Sequence, residues 1–258
     1  KVLVNTEKLL KKVNPDCLLV YGDTNSCYSA LSAKKLKIPI FHMEAGNRCF
    51  DLNVPEEVNR KIIDHISDVN LVLTEQARSY LKSEGFDAQR IIKTGSHMYE
   101  IIKFYQKEIN NSKIINNLNL KKNKFFVVSF HREENVDNPI NLDKFINTIS
   151  EINKKYGYKI IFSVHPRTRD RLKKKNKSFL NTKNIIFSKP LSFIDYLHLC
   201  KNSFCVLSDS GTLTEESTIL NFPAINIRHT HERPEGDDYS SLIMTGLDKL
   251  NIITCLTL

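Results

Sequence analysis

The strongest constraint on this chain is its rhythm. Short apolar runs of strand length alternate with segments of helical pattern. The runs fall at 17–21, 38–43, 69–73 and 91–93, then at 125–130, 159–164, 184–187, 204–207 and 224–227. Most are continuous rather than alternating, as strands buried on both faces of a parallel sheet are. Helical patterns lie between them, at 26–36, 75–84, 142–156, 193–201 and 213–220. Repeated strand–helix units of this kind predict an α/β, doubly wound architecture. The polar stretch YQKEINNSKIINNLNLKKNK separates the two series. It predicts two Rossmann-like domains, over 1–115 and 120–258, with the boundary near residues 110–124.

Composition narrows the function classes. The chain has 258 residues, of which 41% are hydrophobic and 26% charged, the balance of a globular protein. No apolar run approaches the ~18 residues of a membrane span, and the start carries no signal-peptide pattern. Six cysteines occur without a CxxC pair or a metal-ligand spacing, which predicts reduced thiols and a cytoplasmic location. The net charge of +9 comes mostly from scattered lysines, as in Lys173-Lys174-Lys175-Asn176-Lys177. A solvated helix end accounts for that run better than a nucleic-acid stripe, because aromatics do not interleave with the lysines. A positive field also favours a phosphate-bearing small ligand. The chain starts inside a helical pattern and ends at NIITCLTL, so a piece of a longer protein is expected.

The unusual polar clusters share one kind of position. GDTNS follows 17–21, HMEAGNR follows 38–41, HREEN follows 125–130, and HPRTR follows 159–164. SDSGT follows 204–207, and RHTHERPE follows 224–227. All six sit at carboxyl ends of predicted parallel strands, where open α/β sheets place their ligand crevice.

Each cluster has its own chemistry. In SDSGT, Gly211 allows close backbone approach, Ser210 and Thr212 offer hydroxyls, and the helix start offers free N–H groups and a positive dipole end for phosphate. A plain helix N-cap explains the same residues. Glu216, one turn on, suits ribose hydroxyls or dipole compensation. His131 leaves a buried strand beside Arg132, Glu133 and Glu134, a setting for proton transfer near neutral pH. His165 has a similar location, with Arg167 and Arg169 for anions. His229 and His231 lie two apart, but no HExxH pattern or third ligand accompanies them, so a sugar-nucleotide loop ranks above a metal site. Pro55 suits a first helical turn, Glu56 and Glu57 suit its N-terminus, and Glu56 with Arg60 has the favourable i, i+4 order. That bland reading leaves Asp23 and Glu44, each at a strand end, unexplained.

Taken together, GDTNS, HMEAGNR, PEEVNR, HREEN, DSGTLTEES and ERPE resemble the non-hydrolysing UDP-N-acetylglucosamine 2-epimerases, in family order and over nearly the whole chain. Within that family they most resemble a subgroup acting on UDP-N-acetyl-L-talosamine and fucosamine. The resemblance implies a glycosyltransferase-B type fold of two Rossmann-like domains facing a cleft, UDP bound in it, and usually a homodimer. It implies elimination and re-addition of UDP with inversion at C2, in surface polysaccharide synthesis (capsule or O-antigen), without a redox cofactor or metal.

Carried over by position, the resemblance makes Asp23, Glu44, Glu56 and His131 catalytic. It gives Ser210, Gly211, Glu216 and Arg228 to the UDP-sugar, and Arg132, Glu134 and His165 to a second, activating site. Glu133 stands where the family commonly has Arg, which puts that second site in question. The family's N-terminal phosphate loop and first strands, and its C-terminal helices, have no counterpart in this sequence. Three alternatives remain. One is a glycosyltransferase of the same architecture, another a hydrolysing epimerase, and the third a UDP-sugar-binding regulator.

Overall fold

The computed structural model describes residues 2–52, 54–228 and 242–257. The chain forms two compact units that divide between His97 and Met98.

The first unit alternates helices and strands. It contains α1 (Val2–Val13), β1 (Leu18–Tyr21), α2 (Ser29–Lys35), β2 (Ile40–Met43) and α3 (Pro55–Ile66). It continues with β3 (Val69–Val72), α4 (Glu75–Ser83) and β4 (Ile91–Lys93). The strands pair in parallel in the order β1-β2-β3-β4. Leu10, Ala30, Ala33 and Ile63 from the helices pack with Val20 and Ile40 of the sheet. Ala77 and Leu81 of α4 form a second cluster with Val72 and Ile91. Local chemistry fixes the helix starts. Pro55 opens α3, and the Thr74 hydroxyl caps α4 by accepting from the Ala77 N–H at 3.1 Å.

The second unit opens with α5 (His97–Phe104), α6 (Gln106–Asn111) and α7 (Ile114–Asn117). It continues through β5 (Phe125–Ser129), α8 (Glu133–Val136), α9 (Pro139–Tyr156), β6 (Lys159–Ser163), α10 (Pro166–Lys175) and β7 (Ile185–Ser188). Then come α11 (Phe193–Asn202), β8 (Cys205–Ser208), α12 (Leu213–Leu220), β9 (Ala224–Asn226), β10 (Leu242–Met244) and a helix over Lys249–Cys255. Its six parallel strands run in the order β10-β9-β8-β5-β6-β7. Read from β7, this is the order of doubly wound nucleotide-binding folds. The chain leaves β5 to one side and returns to β8 on the other, so the switch point lies between those two strands.

Both faces of this sheet are covered. Phe126 and Val128 enter one core cluster with Phe145 and Ile149 of α9. Phe125 and Val127 enter the other with Leu199 of α11 and Leu213 of α12. That double burial is why β5 reads FFVVS rather than alternating. Each such side chain, fully buried, contributes roughly 1.5–3 kcal/mol.

The Asn/Lys-rich stretch carries α6 and α7. Ile102 and Ile109 pack on Leu197 of α11, Lys201 Nζ donates to Asn110 Oδ1, and the polar residues face outward. Helices α5–α7 thus belong with the second unit, and the compact units part before the polar stretch rather than within it. Among the described residues, no helix is long and apolar enough to cross a membrane.

Candidate active site

In the first unit, two acids named from the sequence, Asp23 and Glu44, meet at the end of β1, and a third stands on the helix bonded to Asp23. Gly22 continues the β1–β2 pairing, its N–H donating to the Met43 carbonyl at 3.2 Å. Asp23 follows it. Glu44 directly follows β2 with φ at 66°, a left-handed conformation that costs a non-glycine residue roughly 1–2 kcal/mol. The space beside Gly22 lets its carboxylate approach: a Cβ placed on Gly22 would lie 3.5 Å from Glu44 Oε2.

Helix α3 brings the third acid. Glu56, Asn59, Arg60 and Ile63 are spaced i, i+3, i+4, i+7 and so share one helix face. Ile63 anchors that face in the core. Asn59 Nδ2 donates to the Asp23 carbonyl at 2.8 Å, and Arg60 Nε to Asp23 Oδ2 at 2.6 Å. Glu56, one turn earlier, therefore lies on the face turned toward the Asp23 loop.

The expected pairing of Glu56 with Arg60 does not form. Arg60 Nη1 reaches Glu57 Oε2 at 2.9 Å. Glu57, fully buried, also accepts from the Cys49 N–H at 2.9 Å. Burial favours the close Glu57–Arg60–Asp23 chain over an exposed i, i+4 pair worth about 0.3–0.5 kcal/mol. Glu57 is thus structural, and Glu56 keeps its carboxylate for other use.

A second buried network supports the Glu44 turn from below. His42 Nδ1 lies 2.7 Å from Asp64 Oδ1, and His42 Nε2 lies 3.2 Å from the Gly22 carbonyl. Arg48 donates from Nη1 to Asp64 Oδ2 and, in a fork from Nε and Nη2, to both oxygens of Glu84, all at 2.7 Å. Burial alone would depress the Arg48 guanidinium, but Glu84 and Asp64 outweigh it and push its pKa up. The Gly46 N–H also donates to Asp64.

The second unit presents its polar residues at the switch point. His131 follows β5 and Asp209 follows β8, on adjacent strands. Asp209 is fully buried. It accepts from the backbone N–H groups of His131 and Arg132 and from Asn135 Nδ2, at 3.0–3.2 Å. His131 Nδ1 lies 3.1 Å from Asp209 Oδ1. Burial opposes the charge on Asp209, but the bonds from His131, Arg132 and Asn135 prevail and hold its carboxyl below the ordinary value.

Beyond Asp209, Ser210 Oγ lies 3.0 Å from Thr212 Oγ1, and the Thr212 hydroxyl donates to Glu216 Oε1 at 2.8 Å. The side chain of Thr212 therefore does not cap α12. Ser210, Gly211 and the N-terminal turn of α12 lie together, with Glu216 buried behind them. Arg228, also buried, follows β9, the next strand.

The remaining sequence candidates lie at the starts of α8 and α10. Arg132 and Glu134 flank the start of α8, and Glu133 there pairs with Arg167, which also contacts Asp137. His165 is the N-cap of α10, its ring accepting from the Arg167 N–H. His229, His231 and the ERPE motif lie outside the described residues. Among the described residues, no group of three or more His, Cys, Asp or Glu side chains could hold a metal ion. Sequence reasoning missed Asp209 as an organiser, although a charged residue one serine past a continuous apolar run was a signal of a buried, partnered carboxylate.

The family profile for UDP-N-acetylglucosamine 2-epimerase matches residues 1–258. The chain belongs to that family. It is 38% identical to a UDP-N-acetylglucosamine 2-epimerase of Methanococcus maripaludis over 99% of this chain and 71% of the relative. The structure of a UDP-N-acetylglucosamine 2-epimerase from Rickettsia bellii superposes with a TM-score of 0.92 at 49% identity, covering 99% of this chain and 68% of that one. The enzyme of Methanocaldococcus jannaschii in complex with UDP-GlcNAc and UDP superposes with a TM-score of 0.90 at 37% identity, over 99% and 72% of the two chains. The two parallel-sheet units are accordingly of the glycosyltransferase-B type, and the family is one of isomerases.

Proposed function

We propose that this chain inverts C2 of a UDP-2-acetamido sugar without hydrolysis, by eliminating and re-adding UDP. In the forward half-reaction a carboxylate takes the C2 proton. The C–H electrons form a C1–C2 double bond, and the C1–O bond breaks with its electrons leaving on UDP. The reverse half-reaction returns a proton to the opposite face of C2 and UDP to C1. Inversion therefore needs acid/base groups on both faces. The reading is carried by Asp23 and Glu44 at the end of β1, with Glu56 on the face of α3 whose Asn59 and Arg60 bind Asp23. Glu44 and Glu56 are the groups for C2, with Asp23 beside them. His131 supplies the fourth proton-handling group.

For the departing diphosphate the reading uses Ser210, Gly211 and the N-terminal N–H groups of α12, which favour anions. Glu216 serves the ribose hydroxyls, and Arg228 adds a cation. Arg132, Glu134 and His165 are the candidates for an activating second UDP-sugar site, with Glu133 already paired to Arg167 among them. We take the enzyme to be a cytoplasmic homodimer serving surface polysaccharide synthesis.

The substrate is UDP-GlcNAc, interconverted with UDP-ManNAc, or UDP-N-acetyl-L-talosamine, interconverted with its fucosamine epimer. UDP-GlcNAc is the ligand named for the archaeal relative. A glycosyltransferase of this fold would have no use for Asp23 and Glu44 at adjacent strand ends together with Glu56 on α3. The test is incubation of the protein with each UDP-sugar separately, followed by proton and phosphorus NMR. A UDP-linked 2-epimer is expected from one of them. Free sugar plus UDP, or binding of both sugars without turnover, would contradict the reading.

A further inference from the structure

Asp209 is spent on more than holding a turn. The His131 and Arg132 N–H groups and Asn135 Nδ2 already give its carboxylate three donors. Its Oδ1 faces His131 Nδ1 at 3.1 Å as well. An ionised carboxylate accepts and cannot donate, so the ring nitrogen facing it carries the proton. Ser129 Oγ, 3.4 Å from the same nitrogen, is able to accept from it as well. The His131 side chain is 42% exposed, and Nε2 makes no hydrogen bond among the described residues. The ring is thus fixed at one nitrogen and open at the other, at the switch point where this sheet places a ligand.

We propose that Asp209 is a positioning residue that holds His131 as its Nδ1–H tautomer, leaving Nε2 as the atom that takes and gives the proton. The inference rests on the acid/base role of His131 in the reading above. Its physical requirement is for a carboxylate. An amide in its place has one acceptor oxygen, and its NH2 group would confront the N–H donors of His131 and Arg132. The amide would then donate to Nδ1 and push the proton to Nε2, the wrong atom.

The test is two-bond proton–nitrogen NMR on enzyme labelled with 15N-histidine, joined to kinetics. Wild-type His131 should show a protonated Nδ1 and a bare Nε2 in its neutral form. In Asp209→Asn the pattern should move toward Nε2–H. Its kcat should fall at least about 10-fold, within the range of general acid–base effects. KM should stay within about threefold, since no interaction with bound substrate is removed. A wild-type His131 protonated on Nε2 overturns the proposal, and this measurement decides it even if Asp209→Asn does not fold. Normal turnover in Asp209→Asn beside an impaired His131→Asn overturns the positioning role alone. Normal turnover in His131→Asn removes the acid/base assignment itself.

Discussion

Arg60 Nε donates to Asp23 Oδ2 at 2.6 Å, tying the end of β1 to the helix that carries Glu56. The guanidinium is 1% exposed, and its second partner, Glu57, is fully buried. Arg60→Met should leave Glu57 buried without its cation. Breaking one side of such a pair costs roughly 3–5 kcal/mol. Urea denaturation should show this as a lower midpoint, and Arg60→Lys should recover only part of it, because an ammonium lacks the fork that reaches both acids. An unshifted midpoint in Arg60→Met would show that the bridge carries no stability.

Neighbouring acids should give opposite phenotypes. Glu56→Gln should slow turnover by about 10²-fold or more and leave UDP affinity and the urea midpoint near wild type. Glu57→Gln weakens charged hydrogen bonds from Cys49 and Arg60 and should cost about 1.5–3 kcal/mol. Steady-state kinetics, UDP titration and denaturation on both variants check the pair. Near-normal turnover in Glu56→Gln would return that residue to a helix-start role.

Glu44 keeps a side chain in a backbone conformation that suits asparagine better. Glu44→Asn should therefore match or exceed the wild-type melting temperature while losing most turnover. If the variant melts lower, the strained turn does not dominate at that position. If turnover survives, Glu44 does not handle the proton.

The strands were legible because burial on both faces writes itself as continuous apolar sequence. FFVVS at 125–129 and KIIFS at 159–163 are examples. β10 (Leu242–Met244) was not, since three residues with one exposed isoleucine carry too little pattern. Helices α6 and α7 hid in an Asn/Lys-rich stretch, because Ile109 is the only side chain they bury deeply. Asp23 and Glu44 were readable as anomalies at strand ends, and Glu56 only through the family resemblance. Their supports were not. The Asp209–His131 contact joins residues 78 apart, and only the strand order, which no local pattern encodes, puts β8 beside β5. Likewise, Arg60 chooses Glu57 and Asp23 over Glu56 through burial, which spacing alone does not predict.

Two carboxyls set an acid limit on stability. Asp209 lies below its ordinary value of 3.8 because bonds from His131, Arg132 and Asn135 outweigh the opposing effect of burial. Glu84 lies below 4.5 mainly through its bond to Arg48, against some burial. With folded values depressed, the unfolded chain binds protons more readily. The stability these groups contribute is complete above the unfolded values and is lost as pH falls through the folded ones. The urea midpoint should thus decline below about pH 4. In Glu84→Gln the decline should be shallower, from a lower starting point. An equal slope in that variant would show that Glu84 contributes nothing to the acid limit.

The central claim is proton exchange at C2 with UDP retained. Turnover of the UDP-sugar in heavy water, followed by proton NMR, tests it most directly. Deuterium at C2 of a UDP-linked epimer is the predicted result. A UDP-linked product with only protium at C2, or transfer of the sugar to an acceptor, would contradict it.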